Sequence, residues 1–383
     1  MTLTRRRFAV CLVLLFALLS SLSAETRYLA YVGTYTVRGS QGIYVYRYDP
    51  ATGGLEPLGL AAESDNPSFI AIAPNHHFLY AVNEGKFQGK SDTGGVSAFS
   101  IDPQTGRLTF LNDVASRGAD PCHLSLDRDG KFVLVANYTG GSVATFRVGA
   151  DGKLGEASTF IQHKGSGPNH QRQEAPHAHW IDFSPDGRFV LSADLGLDQI
   201  LVYRYDPAKG TLTPNDPPFA KLAPGAGPRH VAPSRDGRFV YVISELNGTV
   251  TTFSYDAKRG ALQELQVVPT LPKDFHGENT TAEMVAHPNG KFLYGSNRGH
   301  DSIVVYAIDP KKGTLTLVEH VSSKGKAPRN FEIDPAGKFL LVANQESDNI
   351  VVFAIDQSTG KLTPTGAEIK VAAPVCIRFL AME

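Results

Sequence analysis

A repeated unit of about 50 residues constrains the fold of this chain more than any other feature. Each copy holds a short apolar stretch, a turn, an aromatic-led strand that ends in a polar residue, a third strand and a tight turn. The six aromatic-led strands are predicted at 78–83, 132–137, 189–194, 239–244, 292–297 and 339–344. Short β segments at this period are typical of a β-propeller, in which each repeat forms one blade.

Turn signals complete the blade. Asp-Gly and Asn-Gly pairs precede the aromatic-led strands, and glycine there supplies the positive φ of a tight hairpin. Third strands are predicted at 96–101, 143–148, 200–205, 250–255, 303–308 and 350–355. A turn containing glycine then leads into a fourth, outer strand. Each blade is therefore expected to have an inner, a middle, a third and an outer strand.

The two ends of the chain decide the number of blades. Residues 28–34, 42–48 and 55–60 read as the middle, third and outer strands of a blade that lacks an inner strand. Residues 374–380 supply one. We therefore predict an all-β, seven-bladed propeller in which the C-terminal strand pairs with the first blade, because closure removes an open edge and holds both termini. Residues 25–383 are expected to form this single domain, and no helical periodicity follows residue 24.

The first 24 residues have the organisation of a secretory signal. Three consecutive arginines, residues 5–7, precede an apolar run at 8–19 and small residues at 20–24. The Arg-Arg-x-Phe order resembles a twin-arginine signal. We expect cleavage after Ser23 or Ala24 and a periplasmic or secreted mature protein. An uncleaved anchor is the alternative, although the run is short for a membrane span.

Composition excludes several partners. The formal net charge of −1 favours neither nucleic acid nor, after signal cleavage, an acidic membrane. Cys122 and Cys376 fall in non-adjacent blades, so we expect two free, buried thiols. No phosphate-binding glycine loop and no Gly-x-Ser-x-Gly motif is present. We expect a monomer without a cofactor or metal ion.

Polar residues concentrate where the inner strands begin and the middle strands end. These two ends meet at one mouth of the ring because the strands are antiparallel neighbours. The repeat alignment, which gives His177 the same position as Arg229, brings to this mouth His177, Arg229, His230, Glu245, Glu283, Asn297, Arg298, Arg329 and Asn344. His179 lies two residues after His177 on the same strand face, and for it a buried structural histidine is the competing interpretation. Several arginines in one cleft indicate an anionic ligand or a carboxylate partner. For Asn297 and Asn344 the competing interpretation is a structural cap of a turn.

His177 and His179 allow a further alternative. Residues two apart in a strand share a face, so a His-x-His pair could bind zinc or copper, with His163, His170 and Glu174 nearby. No third ligand is fixed by the spacing, and an arginine beside the site opposes a divalent cation. A neutral imidazole at His177 that acts as a base is favoured. Three irregular segments, at 85–95, 162–175 and 270–280, are predicted to form walls around this mouth.

Several segments resemble one known family. Residues 31–36, 175–179, 227–230, 244–247, 297–298 and 327–331 are similar to motifs of the seven-bladed β-propeller lactonases, which include the propeller-type 6-phosphogluconolactonases and are related to the fungal carboxy-muconate lactonising enzyme. The resemblance implies a catalytic site of His177, Arg229, Glu245 and Arg298, with Arg329 as a further arginine of the family. Cytosolic 6-phosphogluconolactonases need no export signal. The predicted signal of this chain therefore counts against a phosphorylated substrate, but not against the fold or the lactone chemistry.

Three functions follow as hypotheses. The first is a metal-independent lactonase acting on a small anionic sugar-acid lactone, in which His177 or Glu245 activates water while Arg229 and Arg298 bind negative charge. The remaining polar residues of the mouth, His179, His230, Glu283, Asn297, Arg329 and Asn344, would then bind substrate. The second is a non-catalytic periplasmic propeller that binds an anionic sugar. The third is a cycloisomerase that forms a lactone from a muconate-like acid.

Overall fold

The computed structural model describes residues 27–382, which form 28 strands and no helix. The predicted signal at 1–24 lies outside the described residues. In chain order the strands are β1 Arg27–Thr34, β2 Gly42–Tyr48, β3 Leu55–Glu63, β4 Ile70–Ile72, β5 Phe78–Asn83, β6 Gly95–Ile101, β7 Leu108–Ala115, β8 Pro121–Leu126, β9 Phe132–Asn137, β10 Ser142–Val148, β11 Leu154–Gln162, β12 Ala178–Phe183, β13 Phe189–Asp194, β14 Gln199–Asp206, β15 Thr211–Lys221, β16 Pro228–Pro233, β17 Phe239–Ser244, β18 Thr249–Asp256, β19 Ala261–Pro269, β20 Thr280–Ala286, β21 Phe292–Arg298, β22 Ser302–Ile308, β23 Leu315–Ser322, β24 Pro328–Ile333, β25 Phe339–Asn344, β26 Asn349–Ile355, β27 Leu362–Lys370 and β28 Pro374–Met382.

The strands form seven four-stranded antiparallel sheets, as predicted. Six sheets use four consecutive strands, and the seventh has the order β28-β1-β2-β3. In that sheet Arg27 pairs with Met382 and Tyr31 pairs with Arg378. The prediction that the C-terminal strand closes the ring is therefore confirmed. No helix within residues 27–382 could cross a membrane.

Predicted strand bounds agree closely with the observed ones. Five of the six aromatic-led strands begin and end where predicted, and β21 continues one residue further to Arg298. The middle strands are almost wholly buried, because the neighbouring blades cover both faces of each sheet. Outer strands instead alternate between partly buried and exposed residues. Each fully buried Val, Leu, Ile or Phe side chain in these sheets contributes about 1.5–3 kcal/mol.

Neighbouring blades contact each other through glycines of the outer turns. Gly210 has φ of 66°, and a Cβ on it would lie 2.2 Å from the ring of Phe132 in the preceding blade. Gly313 lies in the same way against Phe239, where a Cβ would come within 2.3 Å of the ring. Only glycine both adopts this backbone conformation and leaves room for the ring. The contact explains why six of the seven middle strands begin with phenylalanine and why the outer turn of the next blade has glycine.

The two cysteines of the described region are free and buried. Cys122 lies in β8 and Cys376 in β28, in blades that are not neighbours. Burial raises the pKa of the Cys376 thiol to about 11 and that of Cys122 further. The prediction of two free thiols is confirmed, and both thiols are protonated at neutral pH.

Candidate active site

One carboxylate organises the mouth of the ring. Glu245 follows β17 directly, and its Oε2 accepts a hydrogen bond from Arg229 Nε at 2.9 Å and forms an ion pair with Arg298 Nη2 at 3.0 Å. Its Oε1 accepts one from Arg172 Nη2 at 2.7 Å. Arg229 is 2% exposed and also donates from Nη1 to the Ala282 carbonyl. The structure thus brings together three of the four residues proposed as catalytic.

The arginines determine the charge of Glu245. Burial alone would raise its pKa, but Arg298, Arg229 and Arg172 lower it to about 2. A carboxylate that is ionised at every physiological pH and paired with three guanidinium groups is a weak proton acceptor. The geometry therefore favours Glu245 as the residue that positions the arginines. Of the two candidate bases at this mouth, His177 and Glu245, His177 is then the better one.

Arg172 is the residue that the sequence analysis missed. It lies in the irregular segment at 162–175, which was predicted to form a wall of the mouth, and its Nη2 also donates to the Tyr138 hydroxyl at 3.1 Å. The preceding strand pattern gives no register for such a segment, so its side chains cannot be aligned with the repeat. Gln173, which is fully buried, fixes the segment by donating to the Leu195 carbonyl and to Asp198.

His177 lies at the same mouth, and one of its two ring nitrogens is hydrogen-bonded to the backbone. Its ring stacks on Tyr138 at a centroid distance of 4.6 Å, and Nδ1 lies 3.1 Å from the Tyr138 carbonyl oxygen. A carbonyl can only accept, so Nδ1 carries the proton and Nε2 of the neutral ring has a free lone pair. Nε2 lies 3.4 Å from Oε1 of Glu174, whose carboxylate is exposed. Glu174 is thus an acidic residue that faces Nε2 of His177.

The repeat alignment around His177 was wrong by two residues. Ala178, and not Pro176, occupies the place that Pro228 has in β16, because Ala178 pairs with Asp194 as Pro228 pairs with Ser244. His179, rather than His177, is thus the structural equivalent of Arg229. The proline was a misleading marker, since the irregular segment before β12 supplies a proline of its own.

A β-bulge at the start of the inner strands directs the equivalent residues towards the axis. The register shifts there in several blades, and the unpaired extra residue is Cys122, His179, Arg229 or Arg329. Bulges re-aim side chains next to functional sites. Consecutive residues can then both reach the central channel, as Arg229 and His230 do.

Arg329 is the arginine of this mouth without an acidic partner. Its guanidinium lies 5.3 Å from the centroid of the Tyr35 ring, and it forms no ion pair with any residue in 27–382. The Tyr35 hydroxyl donates to the Glu84 carboxylate, at 3.0 and 2.9 Å from its two oxygens. A positive charge is therefore available to a ligand at this position.

Beneath the mouth, the axis is closed by a packed polar layer. His230 Nδ1 lies 2.7 Å from Glu283 Oε1, and Asn330 Nδ2 donates to the other oxygen of Glu283. His179 lies beside His230 and contacts the Cys122 thiol. Burial first, and then neighbouring charges including Arg229, hold the pKa of His179 well below its usual value, so its ring is neutral.

The space within this layer holds at most one water molecule. The cavity that Arg229, Arg329, His230 and Glu283 share has a volume of about 10 Å³. No lactone enters it, so the contacts of His179, His230 and Glu283 favour a supporting role over direct substrate contact. They remain candidates as residues that position Arg229.

The two predicted asparagines make structural contacts. Asn297 and Asn344 are fully buried. Asn297 Nδ2 donates to the Thr270 carbonyl, and Asn344 Nδ2 donates to the Ser323 carbonyl. Each thus fixes the connection that precedes its inner strand, and these contacts favour the structural interpretation over substrate binding.

Two of the three predicted wall segments, at 162–175 and 85–95, lie in different positions. The segment at 162–175 brings Arg172 and Glu174 to the axis, whereas Phe87 and Gln88 of the segment at 85–95 line surface cavities together with Asp113 of β7. Within residues 27–382, no group of three or more His, Cys, Asp or Glu side chains is arranged to hold a metal ion. His177 and His179 therefore do not form part of such a group.

Comparison with known proteins identifies the family. The family model described as lactonase, 7-bladed beta-propeller, matches residues 29–379. The chain belongs to this family. Among the relatives of this lactonase-family protein, a 6-phosphogluconolactonase of Bacillus subtilis (strain 168) is 40% identical over 355 residues, which are 93% of this chain and 99% of that protein. A 6-phosphogluconolactonase of Formosa agariphila is 36% identical over 308 residues, covering 79% of this chain and 86% of the relative.

A solved structure extends the comparison. The Pseudomonas aeruginosa periplasmic gluconolactonase superposes with a TM-score of 0.88 at 39% identity, and covers 93% of this chain and 100% of its own. The resemblance drawn from the sequence motifs is therefore confirmed at the level of family and fold.

Proposed function

We propose that this protein is a lactonase that hydrolyses a small sugar-acid lactone without a metal ion. The names of its relatives support the activity. The observation that carries the proposal is the lone pair of His177 Nε2 at the mouth where Arg298 and Arg229 are held by Glu245. This arrangement supplies a base for water and positive charge for an oxyanion.

The reaction can be written with this chain's own residues. His177 Nε2 accepts a proton from water as the water oxygen bonds to the lactone carbonyl carbon, and Glu174 stabilises the resulting imidazolium. Arg298 uses Nη2 for Glu245 and the Thr281 carbonyl, and its Nε has no acceptor. Its guanidinium faces the developing oxyanion. When the ring C–O bond breaks, His177 returns the proton to the departing oxygen.

These contributions are of the size that such a reaction needs. General base catalysis gives about 10²–10⁴-fold, and one oxyanion donor gives about 10²–10³-fold. The purified protein is expected to open glucono-1,5-lactone or its 6-phosphate faster than the solvent does, as measured by pH-stat titration. Saturable binding without product would support the binding propeller instead, and lactone formation from a muconate would support the cycloisomerase.

Arg329 tests whether the substrate is anionic. We expect Arg329→Gln to raise KM for the phosphorylated lactone at least tenfold and to leave KM for the neutral lactone nearly unchanged, because a charge-assisted hydrogen bond contributes about 1.5–3 kcal/mol. Steady-state kinetics on both lactones measures the difference. Arg147→Gln is the matched control, since Arg147 lies 5.4 Å from the Phe132 ring on the exposed surface. Equal changes for both lactones would contradict an anionic substrate.

We also propose that residues 1–24 direct export, which the periplasmic location in the name of the Pseudomonas relative supports. In a Gram-negative host the periplasmic fraction is expected to contain a monomer that begins at Ala24 or Glu25, as determined by N-terminal sequencing and light scattering. Replacing Arg5 and Arg6 by lysine should retain the precursor in the cytoplasm if the twin-arginine route is used. A full-length chain in the periplasm would contradict cleavage.

A further inference from the structure

A second cavity, of about 340 Å³, lies at the opposite mouth of the ring, where the inner strands end. It is lined by Phe69, Ala71, Ile72, Pro74, His123, Leu124, Ser125, Leu126, Asp182, Arg378 and Phe379. The rings of Phe69 and His123, 4.1 Å apart, form its floor, and His230 lies on the far side of them. The packed layer of the axis thus separates this cavity from the candidate active site.

One acidic residue that lines the cavity, Asp182, forms no ion pair in the part of the chain that the structure describes. Arg378 lies over the Phe69 ring at 4.6 Å, and its Nη1 donates to Glu332 Oε2 at 2.7 Å. Burial raises the pKa of both Glu332 and Asp182, and the positive charge of Arg378 partly opposes this at each carboxyl. Asp182 accepts the backbone N–H of Phe183, but it forms no ion pair with any cation in residues 27–382. Within that range Asp182 thus has no cation in direct contact in a partly apolar cavity, and a ligand that supplied one would stabilise its ionised form.

Two further polar groups of the cavity lack partners within the described region. Ser125 is 7% exposed, and its hydroxyl makes no hydrogen bond. His123 Nδ1 accepts the backbone N–H of Ile181 at 3.4 Å, which leaves the proton on Nε2, and no acceptor meets that proton. Buried polar groups are almost always paired, and the Ser125 hydroxyl is such a group without a partner in the described region. Together with His123 Nε2 and the Asp182 carboxylate it offers a ligand two polar contacts and one charged contact. The volume is about that of ten water molecules.

We propose that this cavity binds a small organic cation, a primary ammonium compound that also carries hydroxyl groups. The ammonium pairs with Asp182, while Ser125 and His123 Nε2 hydrogen-bond to hydroxyl oxygens. Ala71, Leu124 and Phe379 cover the carbon skeleton. A metal ion fits less well, because Asp182 is the only acidic residue that lines the cavity and a hard cation needs several oxygen ligands.

Binding should depend on pH with a defined sign. Burial raises the pKa of Asp182 to about 6, and a bound cation favours the ionised carboxylate. Affinity is therefore expected to increase from pH 5 to pH 7, with release of a proton at the lower pH. Of the other groups that face this region, Arg378 stays charged, burial keeps His123 neutral, and burial raises the pKa of Glu332 to about 7. Glu283, in the layer beneath, is ionised throughout because His230 and Arg378 oppose the effect of its burial on its pKa.

Calorimetry with a matched pair of compounds tests the proposal. Glucamine and sorbitol differ only in an ammonium group that replaces a hydroxyl. We expect glucamine to bind at least tenfold more tightly than sorbitol, and Asp182→Asn to remove this difference. Ser125→Ala is expected to lower the affinity for glucamine severalfold. Equal affinities for the two compounds, or an unchanged affinity in Asp182→Asn, would overturn the proposal, as would the absence of any heat with both glucamine and ethanolamine.

The control keeps the test independent of folding and of catalysis. Asp129→Asn removes an exposed carboxylate from a turn near the same mouth, where it pairs only with the surface residue Lys131, and it should leave glucamine binding unchanged. Thermal unfolding of each variant establishes that it is folded. Because the cavity does not involve His177, glucamine binding should persist in a variant that lacks lactonase activity, so the two proposals fail separately.

Discussion

The His177→Gln variant is expected to lose about 10²–10⁴-fold in kcat, because the substitution removes the general base. Glutamine retains a donor for the Tyr138 carbonyl, but it offers no basic nitrogen. KM should change less than kcat, since the arginines that bind the substrate remain in place. Steady-state kinetics on the preferred lactone measures both parameters.

The control for this variant is His276→Gln, which changes an exposed histidine of the segment at 270–280. It should retain wild-type kcat. A kcat of His177→Gln within a factor of three of the wild type would contradict the assignment and return Glu245 to consideration. Loss of thermal stability alone would not produce the separation between kcat and KM.

The Glu245→Gln variant is expected to lose about 3–5 kcal/mol of unfolding free energy at pH 7. The substitution leaves Arg229, Arg298 and Arg172 close together without their shared carboxylate. Lactonase activity should fall as well, since the arginines lose their fixed positions. Urea unfolding measures the stability, and Glu264→Gln on the exposed face of β19 is the matched control.

The effect of Glu245→Gln should depend on pH with a predictable sign. The folded-state pKa of Glu245, about 2, is lower than its ordinary value of 4.5. Its ionisation therefore stabilises the fold above pH 4.5, and that contribution, about 3 kcal/mol, is lost as pH falls from about 4.5 to about 2. The difference in stability between wild type and variant should shrink over this range. A difference that stays constant from pH 7 to pH 3 would show that the carboxylate charge is not its source.

The fold was predictable because the repeat carries it in every copy. Phenylalanine and glycine mark the contact between blades, and the incomplete first blade identifies the closing strand. The meeting of Arg229, Glu245 and Arg298 was predictable too, because each lies within two residues of a strand end. Because strand ends have the same position in every repeat, residues that align at a strand end lie at the same mouth of the ring.

The parts that could not be predicted depend on irregular backbone. Arg172 lies in a segment without periodicity, and the two-residue error at His177 came from a proline in that same segment. The bulges that re-aim His179 and Arg229 leave no periodic signal either. Closure of the axis by His230 and Glu283 is a matter of side-chain packing, which strand patterns do not encode.

The pairing of β28 with β1 places a strand more than 300 residues further along the chain in the first blade. Until residues 374–382 leave the ribosome, β1 has an unpaired edge and the ring stays open. The same nine residues include Cys376 and Arg378. A chain shortened by this strand therefore lacks both the pairing that closes the ring and one wall of the cavity that Arg378 lines. A chain that stops before residue 374 therefore leaves a free edge on β1, with which a strand of another chain can pair.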